Sequence, residues 1–163
     1  MSKLSPVFVR NLVFGVEDGL VSTVGFLAGV SAGGLLKSDL ILSGVVLIFV
    51  EAFSMGVGSF LSESSAEEMN GRSKAIDARS LKGGAVMFVS YVFAGFWILL
   101  PYLFAEGAVS IILSVLFAFL ALSALGFVSA RITGRPPAKR VVRMIVAGGL
   151  AIVLGTAVGM MFG

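Results

Sequence analysis

The chain has 163 residues, of which 58% are hydrophobic and 13% charged, against roughly 25% charged residues in an average soluble protein; an ordinary soluble domain is excluded. Its net charge of +3 is no nucleic-acid footprint, because the basic residues sit in short loops between apolar runs, where they report orientation across a bilayer. With neither Cys nor His, disulfides and thiol chemistry are ruled out, and any metal site must use carboxylate, carbonyl, hydroxyl, water or methionine sulfur.

Taken in order, charges divide the chain into five apolar stretches. The composition predicts an all-α polytopic membrane protein, one transmembrane domain over 1–163, with helices at about 9–34, 40–69, 83–105, 107–130 and 142–162. Each contains the ~20 residues that a ~30 Å hydrocarbon slab requires, and runs this long satisfy their backbone groups in lipid only as helices. Gly33-Gly34, Gly71, Gly83-Gly84, Glu106-Gly107 and Gly134-Arg135-Pro136-Pro137 punctuate them. The first run carries Glu17 and Asp18 and exceeds the length of a secretory signal, so it reads as a retained span. With the N-terminus in the cytoplasm, eleven Lys and Arg residues fall on the inner side and only Lys37 on the outer, an asymmetry that orients the chain and puts Gly163 outside.

The first span is the unusual one. Within Phe14-Gly15-Val16-Glu17-Asp18-Gly19 two acids interrupt an apolar run, and the second span holds a third acid, Glu51, with Met55 one turn later. An acid at membrane depth is costly and marks a partner, a water-filled path or a cation. Counting 1.5 Å per residue from the cytoplasmic ends puts Asp18 and Met55 in one layer about 12 Å deep, with Ser22 and Glu51 about 18 Å deep. Antiparallel neighbours would then offer a ladder of Asp18, Met55, Ser22 and Glu51 as oxygen and thioether ligands, with Glu17 beside it and Gly15 and Gly19 leaving room for a helix or a hydrated cation. No basic residue occupies this depth in the apolar runs, so protons or a bound cation must neutralise the acids. Met55 alone is more often core filler. Beyond Ser62, Glu63 and Glu67 stand at i,i+4 and form either an acidic mouth that gathers cations or a solvated helix end. Small residues four apart (Gly15 and Gly19, Gly25 and Gly29, Gly155 and Gly159) mark close helix packing within or between subunits.

Phe14-Gly15-Val16-Glu17-Asp18-Gly19-Leu20-Val21-Ser22-Thr23, followed by Ser54-Met55-Gly56-Val57-Gly58-Ser59-Phe60-Leu61-Ser62, resembles the vacuolar iron transporter family. The likeness is close over the first two spans and extends to the five-span plan. It implies a homodimeric divalent-metal transporter that moves Fe²⁺, often Mn²⁺ too, out of the cytosol in exchange for protons. It further implies a pathway at the dimer interface lined by the first helices, with the family's aspartate at Asp18 and its methionine at Met55. Glu51 has no counterpart carried over and rests on the depth count. This sequence departs from the family at Gly58-Ser59-Phe60, where many members have Gly-Glu-Tyr. It also has only about 20 residues between Glu63 and Lys82, too few for the multi-helix cytoplasmic metal-binding domain of the storage branch, so it reads as a short form.

The expected function is therefore metal transport, with Fe²⁺ or Mn²⁺ as cargo, no resident cofactor, and lipid, divalent metal, protons and a second copy as partners. A metal-binding assembly or sensor protein that does not pass the ion is the alternative. An intramembrane enzyme is disfavoured, since Asp18 is the sole aspartate in an apolar span and no histidine is available. A prokaryotic plasma membrane is the expected location.

Overall fold

In a computed structural model of the chain, which describes residues 5–69, 71 and 78–163, every regular element is a helix. The five are α1 (Pro6–Ala32), α2 (Lys37–Met69), α3 (Ala78–Phe104), α4 (Gly107–Thr133) and α5 (Pro137–Phe162). All five are long and apolar enough to cross a membrane. Lys3, Arg72 and Lys74, which count toward the charge asymmetry, lie outside the described residues.

The helices extend beyond the apolar stretches. Pro6 starts α1 and Pro137 starts α5 in the first helical turn, where the missing proline N–H would have had no partner anyway. Short connections make neighbours in sequence run antiparallel. Gly34 turns between α1 and α2 at φ 79°, and Gly134 between α4 and α5 at φ 66°.

α1 is the hub and touches each of the other four helices. Its strongest contacts are with α3 on one side and α5 on the other, while α2 leans on α3. Leu20, Val24 and Leu27 of α1 are buried together with Ile48, Ile98, Leu99 and Leu122. In lipid the apolar effect does not drive helices together, so close van der Waals packing has to. The glycines allow it. A Cβ on Gly29 would lie 2.7 Å from the Gly155 carbonyl oxygen, and one on Gly25 2.9 Å from that of Ala151. The Gly25/Gly29 stripe is therefore spent inside the subunit, against α5. The buried Ser90, Ser110 and Ser129 return their hydroxyls to carbonyls of their own helices, and Ser114 of α4 donates across to Ile98 of α3 at 3.0 Å.

The two ends differ in charge. At one, Arg10 of α1 meets Glu63 of α2 at 2.8 Å, and Arg79 and the α4–α5 loop lie on the same side. At the other, Lys37 approaches Glu106 at 3.3 Å.

Candidate metal pathway

From the end bearing Arg10, a groove of about 950 Å³ runs along α1. Pro6, Arg10, Val13, Phe14 and Glu17 form its floor at helical spacing. Met55, Gly58, Ser59 and Ser62 of α2 wall one side, Ser129, Thr133 and Arg140 of α4 and α5 the other, and Met87 of α3 also lines it. Glu17 is eleven residues beyond Pro6, so the groove penetrates about 16 Å along the helix. Small side chains on α2 keep it open: Gly58 has nothing within 4 Å of where a Cβ would sit.

Glu17 and Met55 share this groove. Glu17 was expected to lack any cation at its depth, yet α5 brings Arg140 and Arg143 into electrostatic contact with it. The reach of two long side chains from the first turns of α5 supplies what the apolar runs lack. That leaves Asp18 and Glu51 as the acids without a nearby base among the interactions the structure records, and these two sense each other's charge. Both are half-buried, as are Ser22 and Met55.

Around them is a cluster of hydroxyls. The Ser22 hydroxyl donates to the Asp18 carbonyl at 2.7 Å and shares a short hydrogen bond with the Tyr91 hydroxyl of α3. Tyr91 is wholly buried and lies within the electrostatic reach of Asp18 and Glu51. Thr23, next in sequence, is fully buried and brings a further hydroxyl beside Tyr91. Tyr91 did not emerge from the sequence, where α3 attracts no notice because its apolar run has no acid. The available signal was that the chain has only two tyrosines, one in the middle of α3 and one in its last turn.

Gly15 and Gly19, expected along the pathway, instead face α3. A Cβ on Gly15 would meet the Met87 carbonyl oxygen at 2.8 Å, and one on Gly19 the Tyr91 carbonyl oxygen at 2.8 Å. Their role in the geometry is to seat α3 against α1 so that Tyr91 reaches Ser22.

Glu63, expected at a cation-gathering mouth, is tied down. One of its carboxylate oxygens accepts from Arg10 at 2.8 Å, from Asn11 at 2.7 Å and from Ser59 at 3.4 Å. It clamps α2 to α1 at the groove's open end. Glu67 is half-buried and engaged in a contact of its own. Ser59, where many members of the family resembled have a carboxylate, lines the groove one turn from Glu63. No group of three or more His, Cys, Asp or Glu side chains among the described residues converges to hold a metal. Met55 lines the groove with Glu17, while Asp18 and Glu51 are not among its lining residues.

The model of the VIT family matches residues 9–81 and 66–160. Two proteins named Vacuolar iron transporter 1, from Tulipa gesneriana and Arabidopsis thaliana, are each 33% identical to the chain over 60 residues, which is 37% of this chain and 24% of theirs. The matched stretch thus spans about a quarter of the length of these relatives.

Proposed function

The chain belongs to the VIT family, and from that membership we propose that it transports divalent transition metal, Fe²⁺ or Mn²⁺, out of the cytosol in exchange for protons, and is not an enzyme. The observation that carries this reading is the groove. It leads from one end of the bundle past Met55 to Glu17, beside an acid pair, Asp18 and Glu51, that lacks a compensating base in its recorded interactions. Oxygen ligands suit hard cations and a thioether favours softer transition metals. Two carboxylates and one sulfur make a weak site, as passage requires.

A site this sparse also supports a homodimer. One subunit supplies too few ligands, and a polar path needs enclosing protein to separate it from lipid. A two-fold axis setting the two α1 grooves face to face doubles the ligand set and closes the path. The inner side is the end carrying Arg10 and the α4–α5 loop, by the charge asymmetry. A plasma membrane of prokaryotic type is the location we propose. The vacuolar membrane in the names of the plant relatives is the other outcome that membrane fractionation would report.

The test is metal uptake into proteoliposomes, comparing Fe²⁺, Mn²⁺, Co²⁺ and Mg²⁺ with and without a pH gradient. Uptake of Fe²⁺ or Mn²⁺ that accelerates with the gradient supports the proposal. Binding without flux assigns the chain to a metal-sensing or assembly role instead.

A further inference from the structure

The α4–α5 corner carries five cations in thirteen residues: Arg131 in the last turn of α4, Arg135 in the loop, and Lys139, Arg140 and Arg143 in the first two turns of α5. The last acid in the sequence is Glu106, so no carboxylate from 107–163 offsets them. Two of the five, Arg140 and Arg143, lie within electrostatic reach of Glu17. The other three, Arg131, Arg135 and Lys139, are exposed and share the tip between two helices long and apolar enough to cross a membrane, where lipid headgroups would lie.

The tip is held in shape by several contacts. Gly134 caps α4 at φ 66°, the Arg135 N–H bonds the Ala130 carbonyl at 3.0 Å, and Pro136-Pro137 follow directly. Arg140 donates across the loop to the Thr133 hydroxyl at 3.4 Å. Arg131 lies over the Phe127 ring, 5.1 Å from its centroid. Positive-inside topology asks only for basic residues in a loop. The fixed loop backbone and the Arg131 guanidinium held over Phe127 add something more, because a preorganised site pays less ordering cost on binding.

We propose that Arg131, Arg135 and Lys139 form a binding site for the phosphate headgroup of an anionic phospholipid in the adjoining leaflet. Charge complementarity selects the ligand: three exposed cations at headgroup depth face a surface of lipid phosphates, and a basic residue near an anionic leaflet is attracted to it. The first turn of α5 has no acidic residue and no side-chain cap, so its free N–H groups add donors to the same place. The acyl chains lie along the exposed apolar flank of α4, where Phe127 and Val128 face outward.

The test uses the full chain in mild detergent, exposed to an equimolar mixture of phosphatidylglycerol and phosphatidylcholine, with bound lipid counted by native mass spectrometry. The wild type should retain phosphatidylglycerol in clear preference. Arg135→Gln and Lys139→Gln, each an exposed single change that spares folding, should each lower that preference roughly fivefold. The triple change with Arg131→Gln should abolish it while phosphatidylcholine retention stays level. Equal retention of the two lipids by the wild type overturns the proposal, as does an undiminished preference in the single variants. Millimolar inorganic phosphate raising thermal stability as much as phosphatidylglycerol does would assign the site to a soluble anion and overturn the lipid reading.

Discussion

Asp18 is where the chemistry of this chain is most exposed to test. Its carbonyl is held by Ser22, whose hydroxyl also engages Tyr91, and its carboxylate lies within electrostatic reach of the like-charged Glu51. Asp18→Asn keeps size and polarity and removes the exchangeable charge. Transport in liposomes should fall by at least the ~10–100-fold that losing even a supporting group costs a metal site, with the protein still monodisperse. Near wild-type flux would make the acids structural. Met55→Leu keeps volume and loses the sulfur, so it should slow Fe²⁺ or Co²⁺ more than Mn²⁺ or Mg²⁺ in the same assay. The acids stand out in the sequence because a charge is rare in an apolar run, while Met55 is singled out only by the depth count and the family resemblance. Tyr91 was not, since depth counting compares helices adjacent in sequence, and α3 comes to α1 through glycines that the count does not weigh.

At the level of elements, contact between α1 and α5 depends on backbone meeting backbone. Gly29→Ala would place a Cβ 2.7 Å from the Gly155 carbonyl oxygen, so the helices must part. Overpacking of this kind costs about 1–3 kcal/mol, to be read as a lowered unfolding midpoint in detergent. Gly149→Ala is the matched control. Nothing lies within 4 Å of its Cβ position, and alanine is the better helix former by about 0.5–1 kcal/mol, so stability should hold or rise. The small-residue spacing was visible beforehand; which helix would fill each stripe was not, because spacing names a face and leaves its partner open. Helix ends were displaced for a related reason. Hydropathy registers contact with lipid, whereas α3 begins at Ala78 and α5 at Pro137 in polar turns that hydrogen bonding continues beyond the slab.

For the whole molecule, the five-helix plan could be read from composition, while the proposed dimer rests on what one subunit lacks. Gly25 and Gly29 are covered by α5, so a two-fold contact between first helices must use the groove side, where Phe14 is half exposed and lines the opening. Phe14→Cys should therefore yield disulfide-linked dimers on oxidation in membranes, detected as a doubled mass on a non-reducing gel. A strictly monomeric species that still transports metal would remove the dimer from the mechanism.

That α1 touches every other helix has a consequence for how the protein is made. It precedes in the chain all four helices that cover it, and it is the least hydropathic of the five. While the ribosome is still translating, the segment with Glu17 and Asp18 enters the bilayer before Tyr91 or Arg140 has been synthesised. Aspartate at the centre of a lone helix costs about 2.5–3.5 kcal/mol on insertion. The nascent first helix is thus a provisional resident of the membrane, committed only when α3 and α5 arrive to close around it.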